Sequence, residues 1–508
     1  MTDTGDKYML GLDLGTTGAK AGVMDVEGKV LGTSSAGYPT ETPRPGWAEQ
    51  DPALWWEASC RAIRGALSAS GVAADDVAGV GVSGQMHGSV FLDGSGGVVR
   101  PCILWCDQRT GPECALIEEK VGRESLAGLV GNPALPGFTA PKVLWLARNE
   151  PDSFERVRWL LLPKDYINLM LTGETVTEVS DASGTLLFDV AGRRWSEPML
   201  QALEIPAEWL PPVIESAQPA GRVTAEAARA TWLVEGTVVA GGGADNACGA
   251  LGMGVLEPGQ VAVSIGSSGT VLAPTATPIV DERMRLHSFC HARPDTWYLM
   301  GVMLSAGLSL RWFRDALGEP ERSEAEALGR DPYELLDKTA SRAPAGCEGL
   351  VFLPYLTGER TPHADPDARG VLFGLDLTKG RSHVVRSVLE GVVYGLRDSL
   401  SLMREMGVPV TTVLSGGGGA RSSLWRRIQA DAFGMPVTVA GNPDAAMLGA
   451  GLLGGVAAGL FDSVDEACDR AVRYGETIEP DPAAGPAYDR AYEVYRALYP
   501  ALREIYWL

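Results

Sequence analysis

Residues 8–25, YMLGLDLGTTGAKAGVMD, contain the six residues Asp13-Leu14-Gly15-Thr16-Thr17-Gly18 between two apolar runs. A DVEGK turn and VLGTSS follow, so the pattern reads as strand, tight turn, strand, turn, strand, an antiparallel meander at the start of an α/β chain. A turn of Gly and Thr between such strands offers backbone N–H groups and hydroxyls to phosphate oxygens, and Asp13 is an anion placed to hold hydrated Mg²⁺. Six residues alone also fit an ordinary hairpin.

The pattern restarts near residue 240. Thr237–Ala240 ends in GGGADNACGALG, and Gly259–Ile265 leads into Gly266-Ser267-Ser268-Gly269 and a second apolar run. The match of LGTTG (14–18) with IGSSG (265–269) suggests a remote internal duplication, with one glycine-hydroxyl turn per half to grip a polyphosphate. In GGGADN, Asp245 follows a glycine-rich strand end, where a carboxylate would take a hydroxyl proton during phosphoryl transfer. An Asp there would also cap the following helix. A third glycine cluster, Ser415 to Arg421 with Gly417, Gly418 and Gly419, follows an apolar strand and precedes the helical pattern SSLWRRIQADAF, the geometry for an adenine or phosphate contact at a helix N-terminus.

Outward from these turns, amphipathic spacing predicts helices over 51–69, 140–148 and 163–171, the last ending at Thr172-Gly173. The apolar stretch 445–460, with its five glycines, is shorter than the roughly 20 residues of a membrane span and reads as a buried helix. Strands are expected at 77–82 and 89–93 around a GQMHG turn. The literal GxGxxG at 79–84 is therefore a decoy, since its glycines alternate with valines inside a strand and no helix follows. No GxxxxGK[ST] occurs. His287 and His291 are spaced i, i+4 without the surroundings of a metal site.

The 508 residues call for two or three domains at roughly 100 to 200 residues each, and 63 glycines suit an α/β enzyme with many tight corners. A formal net charge of −21 disfavours nucleic acid and anionic membranes as partners. Eight cysteines without a CxxC pair read as reduced thiols of a cytoplasmic protein, and Met1–Gly15 has no basic segment leading into an apolar core, so no secretory signal is expected.

These residues together resemble the FGGY carbohydrate kinase family, within the actin and hexokinase superfamily, and most closely its xylulokinase branch. GFTAPKVLWLARN (137–149) and GVLFGLDLTKGRSHVVRSVLE (370–390) look like the two family signatures. GQMHG (84–88), LLPKDYINLMLTGE (161–174), SDASGT (180–185) and FLPYLTGERTPH (352–363) look like that branch; glycerol kinases carry an Arg-Glu pair where this chain has Met86-His87.

The resemblance implies two ribonuclease-H-like α/β domains with a catalytic cleft between them, at residues 1–250 and 251–508, with the boundary near 247–260. It implies an ATP-dependent kinase acting on D-xylulose, with Asp245 and Asp13 catalytic and both near Mg²⁺. Sugar contacts would fall to Met86, His87, Trp105, Asp245 and Asn246. Nucleotide contacts would fall to Gly15, Thr16, Thr17, Gly266, Ser267, Ser268 and Gly417–Gly419. A cytoplasmic homodimer is the expected state. The chain departs from the family pattern at Cys106, commonly Asn, at the extra Ala244 in GGGADNA, and at GSSG in place of GTSG. Alternative readings are a kinase for another ketopentose, a polyol or a sugar acid, and, from another class, an ATP-driven conformational protein of the actin or heat-shock kind.

Overall fold

The computed structural model describes residues 7–506, so the first six residues of the segment read for a secretory signal lie outside the described residues. The chain divides into two compact units. One comprises Met1–Leu256, Thr275–Tyr298 and Asp444–Arg473; the other comprises Glu257–Pro274, Leu299–Pro443 and Tyr474–Leu508.

In the first unit the meander forms as the alternation predicts. Tyr8–Leu14, Gly18–Asp25 and Val30–Gly37 pair antiparallel in sequence. Val77–Gly84 then adds parallel to Tyr8–Leu14 on its other side, and Gly243–Ala244 pairs parallel with the end of Val77–Gly84. Even-numbered Leu10, Leu12 and Leu14 pack in one core with Trp55, Ala58 and Ile63 of the helix Pro52–Ser70. That helix starts where Asp51 accepts from the Ala53 amide and stops at left-handed Gly71.

The opposite face of the sheet carries the helix Ala445–Ala457. A Cβ on Gly11 would stand 1.9 Å from the Met447 carbonyl oxygen, on Gly81 1.8 Å from that of Ala450, and on Gly79 2.1 Å from that of Gly454. Gly79 and Gly81 of the decoy motif, with Gly11, therefore let a helix backbone lie directly on the strands. This helix, with four of the five glycines of that stretch, is buried as its composition predicts, and it packs against the strands of residues 8–14 and 77–84 and against the helix Asp245–Gly252.

The second unit repeats the first unit's local plan. Gly259–Ile265 pairs antiparallel with Gly269–Thr275 across the GSSG turn and parallel with Val410–Gly416, which pairs with Val437–Ala440. Each unit thus has a central strand ending in a glycine turn, an antiparallel strand after it, and a parallel strand on its far side, which is the relation expected of the duplication. The two-unit α/β fold and these mixed sheets fit the expected superfamily.

The four-glycine cluster leads into a helix as expected: a short 3-10 turn, Gly418–Arg421, closes the cluster, and the helix Ser423–Phe433 is capped by Ser422, whose hydroxyl accepts from the Trp425 amide. All eight cysteines are free, and no helix among the described residues is long and apolar enough to cross a membrane.

Candidate active site

Strand register assembles the first unit's site. Asp13 pairs across from Ser83, and Ser83 pairs across from Gly243, so the carboxyl ends of three parallel strands stop side by side. Asp13, the Gly84–Gly88 turn and Asp245 follow from those ends, the edge where open α/β sheets place ligands.

The DLGTTG turn is held from behind. The Tyr38 hydroxyl donates to the Gly15 carbonyl (2.5 Å), the Gln50 side chain to the Thr16 carbonyl (2.7 Å), and the Tyr38 amide to the Thr17 carbonyl (3.2 Å). In a planar trans peptide the next N–H points opposite to its carbonyl, so tying three carbonyls back turns the following amides toward the other side. The Trp105 indole donates to the Thr16 hydroxyl at 3.0 Å, which brings an expected sugar residue against an expected phosphate residue.

Asp13 accepts from the Ser83 hydroxyl at 3.0 Å. Its carboxyl is pushed up to about 6, first by burial and further by the charge of Asp444, against the Ser83 bond and Lys20. Sequence reasoning missed Lys20 and Asp444, which pair at 2.6 Å beside it. Their separation of 424 residues leaves no local pattern to read.

Asp245 is the first residue of the helix Asp245–Gly252. One of its carboxylate oxygens accepts from both the Asn246 amide N–H (2.7 Å) and the Asn246 side chain (2.9 Å). Burial, and then repulsion from Asp13, push it up to about 7. The same Asn246 side chain reaches the Met86 sulfur at 3.7 Å. Met86 and His87 are both buried, and the His87 ring nitrogen Nδ1 lies 2.6 Å from the Gly184 carbonyl, which makes Nδ1 the protonated nitrogen. A Cβ on Gly184 would come within 2.7 Å of that ring nitrogen, so the glycine of SDASGT seats the Met-His turn.

Beneath Asp245 lies a buried set of ionisable side chains whose role the sequence motifs did not explain: Lys164 and Asp165, Asp181, and Glu178 just ahead of SDASGT. Lys164 stands 2.6 Å from Asp165 and 3.6 Å from Glu178. Burial opposes its charge, yet the three carboxylates outweigh burial and hold it protonated.

Cys106, where the family pattern has an amide, is half-buried, and burial raises its thiol above the ordinary range, so it presents a neutral, weakly polar wall. His287 and His291 do not form a metal pair: His287 bonds Asn132 at 3.0 Å, His291 accepts from the Arg293 amide at 3.0 Å, and no group of three ligating side chains converges among the described residues.

In the second unit the two remaining predicted loops meet. Gly417 is left-handed, and Cβ atoms on Gly417 and Gly419 would fall 2.7 Å from the Ile265 carbonyl oxygen and 2.6 Å from the Ile265 side chain. The glycine cluster therefore lies flat against the strand end that leads into Gly266, Ser267 and Ser268. The carbonyls of Gly266 and Ser267 accept from the amides of Ala306, Gly307 and Leu308, so this turn too is fixed through its carbonyls.

The sequence carries matching relatives over its whole span. The model of the FGGY family of carbohydrate kinases, N-terminal domain, matches residues 8–252, and that of the C-terminal domain matches residues 261–458. The xylulose kinase of Bacillus subtilis is 38% identical over 98% of this chain and 98% of its own length, and the gluconokinase of the same organism is 32% identical over 97% and 94%. The crystal structure of xylulose kinase from Rhodospirillum rubrum superposes with a TM-score of 0.90 at 33% identity, covering 99% of this chain and 100% of its own. Two glycine-hydroxyl turns fixed through their carbonyls, a carboxylate after a glycine-rich strand end and this full-length likeness agree on one assignment: the chain belongs to the FGGY family of carbohydrate kinases and is an ATP-dependent sugar kinase.

Proposed function

We propose that the sugar is D-xylulose and that the product is D-xylulose 5-phosphate, with ADP released. The observation that carries this reading is the convergence on Asn246, whose side chain bonds both the Asp245 carboxylate and the Met86 sulfur. The group that would take the proton and the wall that would seat the carbon chain are thereby held by one residue. Full-length relatives named as xylulose kinases support the same sugar.

In the proposed reaction the sugar's terminal hydroxyl oxygen bonds to the γ-phosphorus, the bond from that phosphorus to the β,γ-bridging oxygen breaks, and the hydroxyl proton passes to Asp245. With one Asp245 oxygen occupied by Asn246, the other is assigned to receive it. Burial makes Asp245 a stronger base than an ordinary carboxylate, which suits proton transfer near neutral pH.

Gly15, Thr16 and Thr17, and in the second unit Gly266, Ser267, Ser268 and Gly417–Gly419, are assigned to nucleotide contact. Met86, His87, Trp105, Asp245 and Asn246 are assigned to the sugar. Residues 1–250 are the proposed sugar-binding part of the sequence and 251–508 the nucleotide-binding part. Mg²⁺ fits the donor set: Asp13 and Asp245 offer hard oxygens, burial disfavours the charged form of both, and the charge of Asp13 further disfavours that of Asp245 until a cation offsets it. When bound with ATP, it would neutralise charge on the phosphate oxygens. A cytoplasmic homodimer remains the proposed state.

ADP release measured over a panel of D-xylulose, other ketopentoses, polyols and gluconate tests the proposal. The highest kcat/KM is expected for D-xylulose; a higher value for gluconate or a polyol overturns the sugar assignment, and sugar-independent ADP release favours an ATP-driven conformational role.

A further inference from the structure

Asp245 is delivered by the turn Gly241–Ala244, whose end pairs with Ser83–Gly84 and which is anchored by a set of polar contacts. The Gly241 amide donates to the Gln218 carbonyl (2.8 Å) and the Gly242 amide to the Ser216 carbonyl (3.0 Å). The Asn168 side chain donates to the Gly241 carbonyl (3.0 Å). The last anchor, one residue before Asp245, is the Ala244 amide, which donates to the Ser180 hydroxyl at 3.0 Å. The Ser180 hydroxyl in turn donates to Glu178 at 2.9 Å.

Glu178 is wholly buried and accepts three more bonds, from the Ser180 amide (2.7 Å), the Asp181 amide (2.8 Å) and the Ser216 hydroxyl (2.5 Å), with the Lys164 ammonium 3.6 Å away. A carboxylate has only lone pairs to offer, so the Ser180 proton must point to Glu178 and the Ser180 lone pair must face Ala244. The direction of the chain Ala244 N–H to Ser180 to Glu178 is therefore set by chemistry, and charge at its far end strengthens each link. Neither Glu178 nor Ser180 belongs to the sites assigned to sugar, nucleotide or metal.

We propose that Ser180 and Glu178 are positioning residues for phosphoryl transfer, holding the Ala244 amide so that the Asp245 carboxylate is aimed at the sugar hydroxyl. The inference rests on the reading of Asp245 as the base. A polar anchor one residue from the base controls its aim more than its chemistry, and a misplacement of about 1 Å costs on the order of 10²-fold in rate.

The test is a double-mutant cycle of Ser180→Ala and Asp245→Ala, read as kcat, as KM for both substrates and as sugar affinity by calorimetry. Ser180→Ala is expected to lower kcat roughly 10-fold to 100-fold while sugar affinity stays within about twofold, and to cost nothing further when Asp245 is already Ala. A folded Ser180→Ala enzyme with wild-type kcat, or a loss confined to sugar affinity, overturns the proposal, as does an equal further loss in the Asp245→Ala background. Wild-type turnover in Asp245→Ala removes the base itself and the inference with it, an outcome distinct from a failing Ser180 arm beside an inactive Asp245→Ala. Should Ser180→Ala fail to fold, Ser216→Ala takes one donor from Glu178 and leaves Ser180 in place. A smaller loss in kcat alone supports the relay, and unchanged kcat overturns it.

Discussion

The Lys142 ammonium donates to the carbonyl of His87 at 2.8 Å and to that of Gly137 at the same distance, from a wholly buried position in the first family signature. The Thr139 hydroxyl adds a bond to the same His87 carbonyl at 3.1 Å. Two side chains of one helix, Thr139–Asn149, therefore clamp the residue whose backbone is left-handed, with φ of 70°. This clamp and the ring's own bond to Gly184 help hold a histidine in that conformation.

Lys142→Met is expected to loosen the Met86-His87 turn and raise KM for the sugar about tenfold, the cost of leaving a buried carbonyl short of a donor. Its second signature is in stability. Burial pushes Lys142 down to about 8 from its ordinary 10.5. Between those values the unfolded chain binds the extra proton, so wild-type stability gains with rising pH across that window relative to the variant. Denaturant melts of both proteins at several pH values from 8 to 10.5 read the difference, and parallel curves would show that the amine is not held in the interior.

His87 carries two expected roles at once. Its Nδ1 proton fixes the turn on Gly184, and its other ring nitrogen is assigned to a sugar hydroxyl. His87→Ala should lower the melting temperature and narrow the preference for xylulose over sugars differing at the bonded hydroxyl by roughly tenfold to a hundredfold. His87→Asn tolerates the left-handed backbone and separates the effects. If both variants keep the wild-type sugar ranking, the residue serves the turn alone.

Much of this was legible because it is local. The DLGTTG strand and turn, the capped helix after Asp51 and the Thr172-Gly173 stop each follow from residues within one turn of each other. Asp13 and Asp245 stood out because a carboxylate beside glycines has few structural duties. What escaped was set by register and tertiary packing. Lys164 and Ser180 lie in quoted motifs and Glu178 just ahead of one, but they act on a turn some 60 residues later, through the Ser180 bond to Ala244. The helix Ala445–Ala457 announces burial by composition, while its seat against Gly11 and Gly81 depends on backbones meeting across hundreds of residues. Four glycines near 417 read as a helix entrance, and the helix Ser423–Phe433 follows them; their close approach to Ile265 is a tertiary contact that no local pattern announces.

Asp13→Asn is expected to weaken turnover in a way that excess Mg²⁺ partly restores, because the amide keeps one oxygen and the Ser83 bond but loses the charge that attracts the cation. Sugar affinity by calorimetry should stay near wild type, since the residues assigned to the sugar lie on the Met86-His87 turn and at Asn246. Lost sugar binding with an unchanged Mg²⁺ requirement would place Asp13 on the wrong substrate.

Asp245→Ala should lower kcat by roughly 10²-fold to 10⁴-fold with the fold intact, the range for a positioned base. The pH dependence sharpens this. Burial first, and Asp13 second, raise Asp245 from 3.8 to about 7 in the metal-free protein. Between those values the folded state holds a proton that the unfolded chain has lost, so stability falls as pH rises from about 4 to 7, and Asp245→Asn abolishes that part of the slope. For catalysis the sign is opposite, because the base must be ionised: wild-type kcat/KM should rise with pH along an acid limb ending near neutrality. Asp13→Asn removes the repelling charge and should carry the limb of its residual activity to lower pH. Melts of metal-free protein from pH 4.5 to 7.5, set beside the two pH-rate profiles, check all three expectations. An acid limb that Asp13→Asn leaves in place would mean that the neighbouring carboxylate does not tune the base.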